Sequence, residues 1–498
     1  MSDANTARPL TAGGTGGTSQ ITGWDGLTAK GTDIASNATI NLTTATGPRI
    51  DITGTTTITA VTLAAGSIRI ARATGIFQIT ASASLVVNKS TSVNYTTAVG
   101  DLLIFTADGS VVSVTAIGSG GTAATTSAAG IVELATNAEA VTGTDTGRAA
   151  TANNLSAVRQ RRNRLVNPAM QISQQNGNTS GTTTGYFVAD QWAMYRVTSA
   201  GTITAQRVQS QTIYKSKDRA RITITAADAS LAAGEYLTLN QNIEGQEVAD
   251  FAYGAAGARQ SVLRFGFKGP AGTYAISIKN SALNRSYVKT FSPTTANTDE
   301  MISLVIPGDE SGTWLTDTGI GISLDFVFAA GSTFQGTDAA WQAGNFLGTS
   351  GVSNGMGTIS QVFEIFDVGL YLDVEDTEVA PPWELPDYDG TFRKCQRYYE
   401  KSYSLDVALG TATTTGAVGI RNGGPDGTTT VYFRATKRST VTARFWTTNG
   451  VLGSWDSVGA VIADRAMLVN INGTNSMVVQ WSSTVDQLRG HWEASARM

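Results

Sequence analysis

Short apolar runs that alternate with threonine, serine or charged residues, and stop at glycine, recur along most of this chain. ATINLTTATGPRIDITG, Ala38 to Gly54, sets Ile40, Leu42, Ile50 and Ile52 at alternate positions, and SIRIARATGIFQITASASLVV and DLLIFTADGSVVSVTAI continue the pattern. SVLRFGFKG, TYAISIKN, MISLVIPG and GISLDFVFAAG repeat it further on, as do TVTARFWTTNG, AMLVNING and SMVVQWSS near the end. A period of two puts every second side chain on one face of a strand, so each run can bury one face and wet the other. β-Branched residues suit the pleated surface, and glycine supplies the positive φ that tight turns require. The composition agrees: 54 Gly stand against 10 Pro, and only 15% of the 498 residues are charged. The fold class predicted is all-β, an elongated chain of small β domains and β-sandwiches with short helical connectors. Length alone suggests about three or four domains.

Several function classes are disfavoured at once. A net charge of −4 gives no basic field for nucleic acid. The run RQRRNR, with Arg159, Arg161, Arg162 and Arg164, reads as a solvated collar between domains. Cys395 is the single cysteine, which excludes an intrachain disulfide framework. His491 is the single histidine, which argues against Ser-His-Asp or Cys-His catalysis and histidine-based metal sites. No G-x-x-x-x-G-K-[ST] loop is present, and the Gly118, Gly120, Gly121 cluster lacks a strand-to-helix setting. MSDANTARPL has no apolar stretch of a secretory signal, and no apolar run approaches the roughly 20 residues of a membrane span. No catalytic, cofactor-binding or metal-binding residues are expected, and no nucleic acid or membrane partner.

The predicted order of parts begins with a flexible tether at 1–20, rich in Gly and Thr. A small antiparallel β domain follows at 21–118, then a linker and connector at 119–162. GIVELATNAEAVTGTDTGRAATANNLSAV, Gly130 to Val158, is the unusual piece. IVEL is a short strand candidate, Thr136 and Glu139 form a T-x-x-E capping box, and Gly143 stops the helix. Thr151 can cap a second short helix through Leu155 and Val158. Both helices fall far below the roughly 12–15 residues at which isolated helices become marginal in water. Their apolar residues therefore need a cover, and copies of the same segment from other chains would supply one.

This stretch resembles the repeat of tail-fibre proteins of tailed bacteriophages. Gly130, Leu134, Ala135, Thr136, Glu139, Gly143, Thr144, Asp145 and Thr151 match it, while Ala150 and Asn153 stand where the family commonly has Val and Pro. PLTAGGTGGT is similar to GGTG-bearing pieces of phage fibres. The resemblance implies a homotrimer of parallel chains, held to other virion tail or baseplate proteins by the N-terminus. Residues 163–380 resemble a jelly-roll, carbohydrate-binding-module-like sandwich: NRLVNPAMQISQQNG reads as its first strand, Asp190, Gln191 and Trp192 as an early element, and QVFEIFDVGLYLDV as its last strand. Residues 381–403 read as a linker and short helix, with Phe392, Cys395 and Tyr399 at helical spacing, and Cys395 as a packed small hydrophobe. That segment resembles the Cys-Gln-Arg-Tyr-Tyr stretch before the terminal domain of many phage fibres. Residues 404–498 read as a C-terminal β domain.

Two constellations could carry chemistry. DVEDTEVAPPWELPDYD holds Asp373, Glu375, Asp376, Glu378, Glu384, Asp387 and Asp389. A glycosidase pair needs rigid support and a raised pKa, and a proline-interrupted linker offers neither; no D-x-D-x-D-G calcium loop appears. Aromatic rings are the other tool, because the apolar face of a sugar stacks on them. Trp446, Trp455, Trp481 and Trp492 near the chain end are the candidate receptor- and glycan-binding residues, with Trp455 favoured by the turn-like NGVLGSWDS; Trp314 and Trp341 are alternatives. The function expected is a non-enzymatic virion fibre, made in the host cytoplasm, that attaches to host surface glycan through its distal β domains. The alternatives are a capsid or collar fibre and a tailspike-like polysaccharide depolymerase.

Overall fold

The computed structural model describes residues 29–118, 133–159, 162–421, 427–457, 464–481 and 487–498. The tether at 1–20, the linker up to Gly130 and Arg161 lie outside the described residues. The chain divides into two compact units, Met1–Glu133 and Leu134–Met498, and strands dominate both. Among the described residues no helix is long and apolar enough to cross a membrane.

The first unit is not the antiparallel domain expected for 21–118. Strand Arg49–Thr53 pairs in parallel with Ile34–Ala35 on one side and with Ile68–Ala73 on the other. Thr39–Asn41 and Ala60–Thr62 are also parallel. Ile50 faces Ala71, Ile40 faces Val61 and Ile58 faces Ile79, each partner 21 residues further along. The chain therefore winds in short coils. A Cβ on Gly75 would meet the carbonyl oxygen of Gly54 at 2.0 Å, so these stacked turns need glycine. Strands Leu102–Asp108 and Val111–Ile117 join antiparallel, and Leu85–Val87, parallel to the second, is the far edge of the six-stranded sheet. Ile40, Leu42, Ile50, Ile52, Ile58, Phe77, Leu103 and Phe105 fill the interior.

The second unit opens with two small helices. Thr136 and Glu139 form the expected reciprocal cap on helix Asn137–Thr142, and Gly143 ends it at φ 69°. Thr151 Oγ1 accepts from the Asn154 amide at the start of helix Ala152–Arg159. Asn154 donates to Ala135 O and Asn137 Oδ1, tying the helices together. Within the IVEL stretch, Leu134 makes a single parallel bridge to Ala149. Val141 is buried, whereas Leu134 and Leu155 are 62% and 55% exposed.

Next comes a sandwich of two antiparallel sheets. One has seven strands in the spatial order Tyr186–Ala189, Trp192–Val197, Tyr236–Glu244, Ile320–Ala330, Tyr274–Lys279, Arg285–Phe291, Ala340–Ala343. The other has five: Thr202–Gln209, Asp218–Ala226, Val362–Leu372, Ser261–Lys268, Glu300–Ile306. Trp192, Phe265, Phe267, Tyr274, Phe326, Phe328 and Phe363 fill the space between them. NRLVNP is not the first strand: Asn163 Oδ1 accepts from the Leu165 and Leu370 amides, and Asn167 takes a positive φ, so side chains pin this segment in place of a ladder.

Helix Tyr388–Gln396 is capped by Asp387, whose carboxylate accepts from the Gly390 amide at 2.6 Å. It stops before Tyr399, which starts strand Tyr399–Lys401 on the last sheet; the helical spacing of Tyr399 with Phe392 and Cys395 is thus corrected. Cys395 is fully buried with Val166, Ile172 and Tyr398, and burial pushes its thiol well above the ordinary range. Strand Gln487–Ser495 is the hub of the final sheet, pairing with Tyr399–Lys401, Val418–Arg421, Thr442–Trp446 and Ser454–Ser457. The buried Arg497 guanidinium lies 3.8 Å from the Phe187 ring and 4.1 Å from the Tyr399 ring, which joins this sheet to the sandwich.

Candidate functional site

Strand alternation determines where a polar surface arises. In Tyr236–Glu244 the core takes Leu237, Leu239 and Ile243, which leaves Tyr236, Thr238, Asn240 and Asn242 on the outer face. In Ile320–Ala330 the core takes Ile322, Leu324, Phe326 and Phe328, leaving Ser323 and Asp325 outside; Lys279 leaves Tyr274–Lys279 on the same face. Segment 332–352 contributes edge strand Ala340–Ala343 and, on either side of that strand, covers part of the outer face. Phe334, Phe346, Leu347 and Val352 settle on Ala275, Val288, Val327 and Ala330. What remains is a cleft of about 300 Å³ with a polar floor and aromatic walls.

The floor is a connected set. Asn240 Nδ2 donates to Ser323 Oγ at 2.9 Å and to Asp325 Oδ1 at 3.1 Å, and the Lys279 ammonium lies 3.1 Å from Asp325 Oδ2. Lys279, Asp325 and Thr238 are all over nine-tenths buried. Thr238 Oγ1, and Asn345 Oδ1 from segment 332–352, have no hydrogen-bond partner among the described residues. On the walls, Tyr236 meets Phe334 edge to face at 5.1 Å, and Tyr195 stands on the neighbouring strand. Burial, and then the Asp325 carboxylate, push both tyrosine hydroxyls above their ordinary value, so they remain hydrogen-bond donors. Partly buried rings beside convergent polar groups form a surface on which a polyhydroxylated ring can stack and be read.

The four tryptophans expected at a receptor surface are elsewhere. Trp446, Trp455, Trp481 and Trp492 are each at most 5% exposed, in the C-terminal part. Trp455, Trp481 and Trp492 share one apolar core with Phe445 and Met477. Trp455 is not in a turn but on strand Ser454–Ser457; its indole donates to His491 O at 2.8 Å and lies where a Cβ on Gly490 would be, 2.1 Å from Trp455 Cδ1. A ring with no open face cannot stack on a sugar, so their expected exposure is corrected. Trp314 and Trp341 pack on each other and on Tyr253 at centroid distances of 5.1 to 5.6 Å.

The acidic exit is used structurally where its contacts are resolved. Asp373 is buried and accepts from the Thr377 and Glu378 amides and from Gln260 Nε2. Glu375 accepts from Asn137 Nδ2. Glu384 and helix-capping Asp387 line a separate groove with Arg162, Tyr371 and Lys394. Among the described residues no group of three or more His, Cys, Asp or Glu is placed to hold a metal ion.

No protein-family model matches the chain, and no curated protein matches it in sequence. Among solved structures it is similar to the family 11 carbohydrate-binding module of cellulosomal cellulase Lic26A-Cel5E of Clostridium thermocellum: 13% identity, 40% of this chain and 96% of that one, TM-score 0.22. It is similar to TmCBM61 in complex with β-1,4-galactotriose at 12% identity, over 42% of this chain and 99% of that one, TM-score 0.22. It is also similar to the enzymatically active domain of tailspike protein 4 of bacteriophage CBA120, at 9% identity over 68% of this chain but only 38% of that one, TM-score 0.23. Scores this low lend nothing to function, and the β-sandwich stands on the chain's own sheet pairing.

Proposed function

We propose that this chain is a structural virion fibre protein of a tailed phage or prophage-derived particle, and that it holds host surface glycan in the outer-face cleft of its sandwich. The cleft carries the glycan reading: Tyr195, Tyr236 and Phe334 offer ring surface beside the polar floor of Thr238, Asn240, Lys279 and Asp325. The protein binds the glycan and does not cleave it. The fibre reading is supported by the Gly130–Val158 repeat, whose two caps form as its sequence requires and whose Leu134 and Leu155 stay exposed on one chain. A homotrimer of parallel chains gives these residues a cover, and multiplies a weak site threefold on each fibre.

Two measurements test this. Sedimentation equilibrium gives three times the 51.9 kDa chain mass; a stable monomer at micromolar concentration removes the fibre reading. Purified protein binds host surface polysaccharide without changing its length distribution, and Tyr236→Ala weakens that binding while the fold is kept. New reducing ends would make the chain an enzyme instead.

A further inference from the structure

Building on the glycan reading of the cleft, we infer that its ligand is an uncharged glycan, read by hydroxyl groups that reach Thr238, Asn345 and the Lys279–Asp325 pair. Among the described residues, Lys279 and Asp325 are the charged side chains that line the cleft, and they neutralise each other at 3.1 Å. Both are over nine-tenths buried, so water screens them poorly. An added carboxylate, sulfate or phosphate would meet the Asp325 carboxylate and find the one ammonium already matched. The cleft has no surplus positive charge to hold an anion.

The atoms without partners point the same way. Asn345 Oδ1 accepts only, and the Thr238 hydroxyl both donates and accepts; neither has a partner among the described residues. Asp325 Oδ1 takes Asn240 and Oδ2 faces the Lys279 ammonium, leaving lone pairs on both oxygens. A ligand whose groups reach these atoms therefore donates hydrogen bonds to Asn345 and Asp325 and accepts them from Lys279. Neighbouring sugar hydroxyls do both, whereas acidic groups ionised at neutral pH only accept. The tyrosine hydroxyls of Tyr195 and Tyr236, held protonated, add donors at the rim.

The test is binding of the full-length protein to two panels: dextran, galactan, mannan and xylan, and the anionic alginate, polygalacturonate and dextran sulfate. Binding is measured from about 50 to about 500 mM NaCl, a span over which charge screening strengthens several-fold. The expected result is binding within the uncharged panel that is flat with salt. Thr238→Val, which keeps the side-chain shape and removes the hydroxyl, should weaken it about tenfold. Asn345→Ala, in segment 332–352, should weaken it as well and serves if the first variant fails to fold. A preference for the anionic panel that collapses with salt overturns the uncharged class and leaves the glycan reading intact. Uncharged binding untouched by either substitution overturns the cleft as the reading site. Binding to neither panel defeats the glycan reading itself.

Discussion

The C-terminal sheet and the sandwich's seven-stranded sheet both alternate apolar and polar residues, yet they use their aromatic residues in opposite ways. In the C-terminal part, Trp455, Trp481 and Trp492 face a shared core, and strand Gln487–Ser495 brings four partner strands around it. In the sandwich, the core is filled from between the sheets, so Tyr195 and Tyr236 are left on the outer face, where segment 332–352 makes a wall rather than a lid. The same residue class is structural in one place and available in the other. What decides is which face the rest of the chain covers, not the residue type.

Substitutions should separate the two regions. The largest effect expected is Trp455→Ala: loss of a fully buried indole and its bond to His491 O should cost about 3–5 kcal/mol, read by chemical denaturation. Near-wild-type stability would mean the ring is not core. Tyr236→Ala should do the reverse, costing about 2 kcal/mol of glycan binding, close to thirtyfold, with little change in midpoint.

Acid should distinguish the regions more mildly. His491 is buried, stacked on Tyr403 at 3.7 Å, with Nε2 against Thr413 O and Nδ1 against the Ser402 hydroxyl. Burial lowers its pKa from 6.5. The folded state thus binds its proton more weakly than the unfolded state does, so this stability is complete above about pH 6.5 and is lost as the pH falls below it. His491→Gln should flatten the acid-side loss of C-terminal stability; an unchanged slope would show that other groups carry it. The smallest effect expected is Thr136→Ala, which removes one helix cap for about 1 kcal/mol, read as faster amide exchange confined to 137–142.

Much of this was legible in the sequence. The all-β class followed from period-two runs closed by glycine, and the caps at Thr136 and Thr151 followed from local spacing alone. The coils of the first unit were hidden because the repeat is degenerate: RIDITG at Arg49–Gly54 recurs as IARATG at Ile70–Gly75, with Ile50 and Ile52 replaced by Ala71 and Ala73. Alternation names the strand but not whether its partner is parallel. The cleft was hidden for a different reason. TLNQN and GISLDF show polar residues at alternate positions, but a solvated strand face reads the same way until a segment nearly a hundred residues downstream of Tyr236–Glu244 folds over it. Gly450 and Gly453 give the approach to Trp455 the look of a turn, but they lead into strand Ser454–Ser457, and the indole fills space that only the absent side chain of Gly490, on strand Gln487–Ser495, leaves open.

Amide hydrogen exchange of the full-length protein, with and without host surface polysaccharide, tests the central claim most directly. Bound glycan should slow exchange in Tyr236–Glu244, Ile320–Ala330 and segment 332–352 near Asn345, and leave Thr442–Trp446 and Gln487–Ser495 unchanged. Protection confined to residues 404–498, with the cleft strands unaffected, would contradict it.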